Sequence, residues 1–225
     1  IFASSDEVYP SLKPKYLPLN ENHPKEPYGL YGLSKLIGEH LSSLYHREFG
    51  IPTVCPRFTF TLEAGELLDP GSGAGSMFFL KGKLDRLKSI NNPPQGVLDQ
   101  IKLFEDLYQK YGDSLYSTYD KKSGKPYRMP MCDVRDLVQG LLLILENDKA
   151  IGESMGFGPP FAFSFDKAAS YLSEKLDMPV IDVELESDLP FNFELDLSKA
   201  KIMLGYKPEW DIFKMIDDAI DYKAT

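Results

Sequence analysis

Cysteine is nearly missing from this chain of 225 residues: there are two, Cys55 and Cys132. Neither has metal-ligand spacing, and each sits in an apolar, strand-like setting. That excludes a disulfide framework and predicts two reduced, buried thiols in a cytoplasmic protein. Positive charge is also short. Lys and Arg number 25 against 34 Asp and Glu, a formal net charge of −9, which argues against nucleic acid or an anionic membrane as a partner. Long apolar runs are absent as well. The strongest, Leu141-Leu142-Leu143-Ile144-Leu145, falls far short of a membrane span. No internal repeat or low-complexity tract interrupts the pattern. What remains is enough chain for one good core with a small lobe attached.

Phe2-Ala3 reads as the end of a buried strand with two serines at its tip. Residues 10–28, rich in Pro, Lys, Asn and Glu, read as a surface loop. From Tyr28 the pattern changes. Leu30, Leu33, Leu36, Ile37, His40, Leu41, Leu44 and Tyr45 recur at helical spacing up to Gly50-Ile51-Pro52. Residues 53–58 (TVCPRF) follow as a short buried strand. Helix, brief joint and strand make the unit of a parallel α/β sheet. Residues 61–96 contain "GSGAG" at 71–75, read as a flexible loop and not a phosphate loop, since no strand precedes it. Residues 98–111 form an amphipathic helix. An apolar segment ends at Asp133, which can cap a helix lined by Val134, Leu137, Val138, Leu141 and Leu145, with Asp136 in its first turn. Strands follow at 153–157 and 180–185. Helices follow at 165–176, capped by Ser164, and at 197–204 and 212–220.

"YGLSK" carries the chemistry. Tyr31 and Lys35 stand four apart on the predicted helix, on one face. An ammonium beside a phenol favours the phenolate, and such a Tyr can pass a proton to or from a substrate oxygen. Ser5, at a strand tip, belongs to the kind of position that faces the ligand crevice of a parallel sheet. A lone Tyr-x-x-x-Lys on an amphipathic helix is by itself more often a solvated pair.

The surroundings add to the pair. "ASSDEVYP", then "ENHPKEPYGLYGLSK", then "PTVCPRF" resemble the extended short-chain dehydrogenase/reductase family, the nucleotide-sugar epimerases and dehydratases. "PYRMPMCDVRDLVQG" and "LDLSKAKIMLGYKPEW" are similar to its later segments. The resemblance implies an α/β fold: the C-terminal part of a Rossmann-like parallel sheet with a small α/β substrate lobe. Residues 1–60 would be the second half of the dinucleotide-binding domain, with parts of 133–158 returning to it. Residues 61–132 and 159–225 would form the lobe. Tyr31 would be the acid/base, Lys35 its electrostatic partner and the holder of the nicotinamide ribose, and Ser5 the hydrogen-bond partner of the reacting oxygen. Ser4 and Phe58 would lie beside the cofactor, and Phe60 and Arg128 would contact substrate.

The implied cofactor is NAD or NADP; the residues that choose between them precede this stretch in the family. So does the glycine-rich strand–turn–helix that seats the pyrophosphate, and the chain is therefore expected to be a piece of a longer protein. The implied activity is epimerase, dehydratase or reductase chemistry on a sugar-like alcohol. Phe60, standing where the family often has Asn, points away from a nucleotide sugar, and Asp133 stands where many members have His. A non-catalytic dinucleotide-binding or regulatory relative is the alternative. A homodimer through the Tyr-x-x-x-Lys helix is implied by resemblance alone.

Overall fold

The computed structural model describes residues 1–10, 13–186 and 192–224. Residues 11 and 12 of the expected surface loop, and 187–191 and 225 of the expected lobe, lie outside them. In chain order the elements begin with β1 (Ser4–Ser5), α1 (Leu30–Phe49), β2 (Cys55–Phe58), β3 (Phe60–Leu62) and α2 (Ala64–Leu67). Next come α3 (Leu80–Lys88), α4 (Gln95–Tyr111), β4 (Leu115–Asp120), β5 (Arg128–Met129), β6 (Met131–Asp133) and α5 (Val134–Leu145). The chain ends with β7 (Ser154–Phe157), β8 (Phe163–Ser164), α6 (Phe165–Leu176), β9 (Val180–Leu185), α7 (Ser198–Leu204) and α8 (Ile212–Ala224). No described helix is long and apolar enough to cross a membrane.

Two compact units result. The first holds Ile1–Thr61, Arg128–Phe163 and Asp188–Asp211; the second holds Leu62–Tyr127, Ser164–Ser187 and Ile212–Thr225. The first unit carries a parallel sheet in the order β1-β2-β7. Its register sets Ser4 beside Arg57, Ser5 beside Phe58, and Phe58 beside Phe157. Its core gathers Val54, Ile144, Met155, Phe157, Leu204 and Tyr206, with the Tyr206 ring edge-on to Phe157 at 4.9 Å between centroids. The segment that carries Leu195, Leu197 and α7, expected with the substrate lobe, clusters here because Leu197 and Leu204 are buried in this core. The same segment pins the polar loop: the Leu19 amide donates to the Glu194 carbonyl at 2.7 Å, and the Asp196 amide to the Leu19 carbonyl at 2.7 Å.

Helix α5 is capped as its sequence suggests. The Asp133 carboxylate accepts from the Arg135 amide at 2.8 Å and also grips the Arg135 guanidinium. That guanidinium lies 3.3 Å above the centroid of the Trp210 ring. Asp136 in the first turn accepts from the Glu209 and Trp210 amides, both at 2.9 Å. Helices α1 and α5 of this unit carry exposed apolar stripes. On α1 the stripe includes Leu30, Leu33, Ile37, Leu41 and Leu44; on α5 it includes Val134, Val138, Leu142 and Leu145. The periodicity of α1 therefore marks the helix correctly while its buried positions, Gly32 and Glu39, lie on the opposite side.

The second unit pairs β4 with β9 in parallel, from Leu115 beside Val180 to Asp120 beside Leu185. Its core holds Leu80, Leu84, Leu87, Phe104, Tyr116 and Val183. The GSGAG stretch at 71–75 is irregular, turns leading into a 3-10 turn at Gly75–Met77, and the residues around it, for which the sequence gives no clear element, hold α2 and α3. Its glycines serve close packing. A Cβ on Gly75 would stand 1.9 Å from the Asp69 carbonyl oxygen. Gly75→Ala is accordingly expected to cost about 1–3 kcal/mol through forced backbone displacement, read as a lower denaturant midpoint; an unchanged midpoint would show that the turn yields freely. Ser164 precedes α6, but its hydroxyl bonds the Asp166 carboxylate and makes no capping bond to the backbone, so that expected cap is also corrected. Cys55 and Cys132 are free and buried.

Candidate active site

The carboxyl ends of β1 and β2 open into a cleft of about 830 Å³ contained within the first unit. Such a position is where ligands lie in open α/β sheets. Of the residues singled out in the sequence, Ser4, Ser5, Tyr31, Lys35, Phe58 and Phe60 line it. Arg128 does not. Its guanidinium donates to the Ala162 carbonyl at 3.2 Å and lies 3.9 Å from the Glu194 carboxylate.

Helix α1 supplies the Tyr and the Lys. Its first turn comes close to the 3-10 turn Asp6–Val8 because residue 32 is glycine; a Cβ there would stand 2.2 Å from the Glu7 carbonyl oxygen. Tyr31 is 54% exposed, and its hydroxyl makes no hydrogen bond among the described residues. Lys35 Nζ lies 5.4 Å from the Tyr31 ring centroid. It donates to the Ala3 carbonyl at 2.9 Å, which leaves two ammonium protons for a ligand. Ser5 Oγ donates to Asp6 Oδ1 at 3.1 Å and accepts from the Glu7 amide at 3.1 Å, so it sits in the cleft already paired with a carboxyl group.

Beneath this surface lies a buried network. Glu39 is two helical turns beyond Tyr31 on α1. Its carboxylate receives the Ser4 hydroxyl at 2.6 Å and two bonds from the Arg57 guanidinium, each at 2.8 Å. Arg57 gives a further bond to the Tyr9 hydroxyl at 2.5 Å. None of the four side chains is more than 6% exposed. Burial pushes the Tyr9 phenol up to about 12, against the opposing pull of Arg57, so Tyr9 stays a neutral acceptor. For Arg57, burial works against the charge, but the bonds to Glu39 and the neighbouring phenol outweigh it and raise its pKa.

The sequence reading passed over Glu39 and Asp6. Asp6 lines the cleft, and burial, helped by the neighbouring Glu7 charge and opposed by the Ser5 hydrogen bond, raises its carboxyl to about 7. Its position directly after the serine pair was the available signal. A raised folded-state value means that Asp6 binds its proton more tightly in the folded chain. That stabilisation is complete below the ordinary value of 3.8 and is lost as pH climbs to about 7. Asp6→Asn should therefore gain stability relative to the parent steadily across this window and level off above it. Denaturation midpoints measured through the window check this; a pH-independent difference between the two proteins would refute it.

A parallel sheet whose carboxyl ends open into a cleft is a Rossmann-like α/β fold. Comparison with known proteins agrees. The family model for GDP-mannose 4,6 dehydratase matches residues 1–64. A putative UDP-glucose 4-epimerase of Methanocaldococcus jannaschii is 45% identical over 76 residues, 33% of this chain and 24% of that protein. An uncharacterized UDP-glucose epimerase of Bacillus subtilis is 27% identical over 235 aligned residues, covering 100% of this chain and 60% of its own. Among solved structures, a short-chain dehydrogenase/reductase superfamily protein from Agrobacterium tumefaciens with bound NAD superposes with a TM-score of 0.87. It shares 30% identity across 99% of this chain and 66% of that one. UDP-glucuronic acid 4-epimerase from Bacillus cereus, at 23% identity and a TM-score of 0.65 over 98% of this chain and 59% of its own, shares the fold. These matches support an extended short-chain dehydrogenase/reductase, of the NAD-dependent epimerase/dehydratase kind, as the family this chain resembles. It spans less than two thirds of the length of the curated relatives it matches.

Proposed function

We propose that this chain is the part of an NAD(P)-dependent epimerase, dehydratase or reductase that carries the proton-transfer site, acting on a nucleotide sugar or a similar alcohol. The observation that carries this reading is that Ser5, Tyr31 and Lys35 line one cleft at the carboxyl end of the sheet. The residues fit a nicotinamide dinucleotide. Lys35 has ammonium protons to spare for ribose hydroxyls, and Phe58 offers an apolar wall beside them. Such a cofactor, when bound, supplies hydride exchange with a substrate carbon.

The chain's own groups manage the proton. Tyr31 would take it from, or return it to, the reacting oxygen. Ser5 would hold that oxygen, and Lys35 would support negative charge as it develops there. Asp6 favours a dehydratase within this class. A carboxyl group that keeps its proton up to about pH 7 can give it to a departing hydroxyl. The exposed stripe of α1 fits a homodimer built on that helix. Replacing Tyr31 by Phe in the full-length protein, with NAD binding and turnover of UDP-glucose both measured, is the deciding experiment.

A further inference from the structure

We infer that Glu39 is a positioning residue for the proton-transfer site, acting through Ser4 and Arg57 to fix the strand tip that presents Ser5. This rests on the function proposed above.

Tyr31, Lys35 and Glu39 follow one another at four-residue intervals, so they run along one side of α1. The lower two hold consecutive residues of the strand: Lys35 the Ala3 carbonyl at 2.9 Å, Glu39 the Ser4 hydroxyl at 2.6 Å. The next strand residue, Ser5, then lines the cleft with Tyr31. Backbone pairing alone specifies this placement over a short length: β1 meets β2 through two residue pairs, Ser4 with Arg57 and Ser5 with Phe58, and the Phe2 amide adds one bond to the Val54 carbonyl at 2.8 Å. A slip of one residue would turn Ser5 to the other face of the sheet. The Glu39 carboxylate forbids the slip, because both members of the Ser4–Arg57 pair converge on it.

Stability is an insufficient reason for such a cluster. A buried ion pair is often replaced by apolar residues of similar volume with no loss of stability. An apolar pair, however, offers Ser4 no acceptor. This separates a positioning role from a structural one.

The test compares Glu39→Gln, the paired replacement Glu39→Met with Arg57→Met, and Tyr31→Phe, each in the full-length protein. Three quantities are read: melting temperature, turnover of UDP-glucose with NAD, and peptide-level hydrogen exchange over residues 3–9. Glu39→Gln should lower kcat roughly 10- to 100-fold with KM little changed, as expected for a small misplacement of a reacting group, and should speed exchange over 3–9. The Met pair should recover the parent melting temperature while kcat and exchange protection stay lost. Recovery of all three in the Met pair would overturn the inference, as would parent-like exchange in Glu39→Gln. The proposed function fails separately if Tyr31→Phe turns over at the parent rate. Should the parent not turn over UDP-glucose, exchange over 3–9 in the Gln variant and the Met pair decides the Glu39 role by itself.

Discussion

Tyr31→Phe in the full-length protein is expected to lower kcat by roughly 10²- to 10⁴-fold, the range of a positioned general acid or base, while leaving NAD affinity nearly intact. The substitution removes one oxygen from a half-exposed ring whose hydroxyl has no partner among the described residues, so no buried bond is lost and folding should be unaffected. The ring, which lies 5.4 Å from Lys35 Nζ, would remain as a wall of the cleft. Isothermal titration with NAD and turnover of UDP-glucose read the two halves of the expectation. Parent-like turnover would remove Tyr31 from the chemistry. A parent that binds NAD yet never alters its absorbance with any sugar would point to the non-catalytic relative.

Arg57→Leu should cost about 3–5 kcal/mol of stability, because it strands the Glu39 carboxylate without its counter-charge. Glu39 is 6% exposed and would retain only the Ser4 hydroxyl as a donor. Tyr9, 1% exposed, would lose its bond from Arg57 as well. Urea unfolding measures the loss as a shift in midpoint at constant slope. A change below about 1 kcal/mol, the scale of an ordinary surface substitution, would mean that the buried pair is not a pair in solution.

Much of this architecture could be read from residue order. The apolar spacing in α1, α4 and α5 marks those helices, and the serine pair, Tyr31, Lys35 and Phe58, singled out by residue order, line one cleft. What escaped notice escaped for physical reasons. Segment 61–96 announces no element because its glycines and prolines interrupt any periodicity, yet Gly75 and Gly82 there admit backbone contacts that a side chain would block. Strand β4 has a polar sequence, and its Ser117, Thr118 and Asp120 are all buried, so no alternation of polar and apolar residues announces it. Glu39 reads as a solvent-facing charge on an amphipathic helix. Only the arrival of Arg57, 18 residues away, makes its burial tolerable, and that meeting is a tertiary event invisible to local pattern. Arg128, whose sequence neighbourhood resembles a phosphate contact, lies off the lining of this cleft, with its guanidinium bonded to the Ala162 carbonyl and near the Glu194 carboxylate.

The stacking of Arg135 on Trp210 gives the molecule an optical label. Trp210 is the single tryptophan of the chain, and it belongs to the first unit. Selective indole excitation therefore follows the melting of the first unit alone, through the emission change when the guanidinium leaves the ring. Tyrosine fluorescence and circular dichroism report on both units. Any gap between the two melting curves would measure, without labels or truncation, how far the units unfold as separate cooperative bodies.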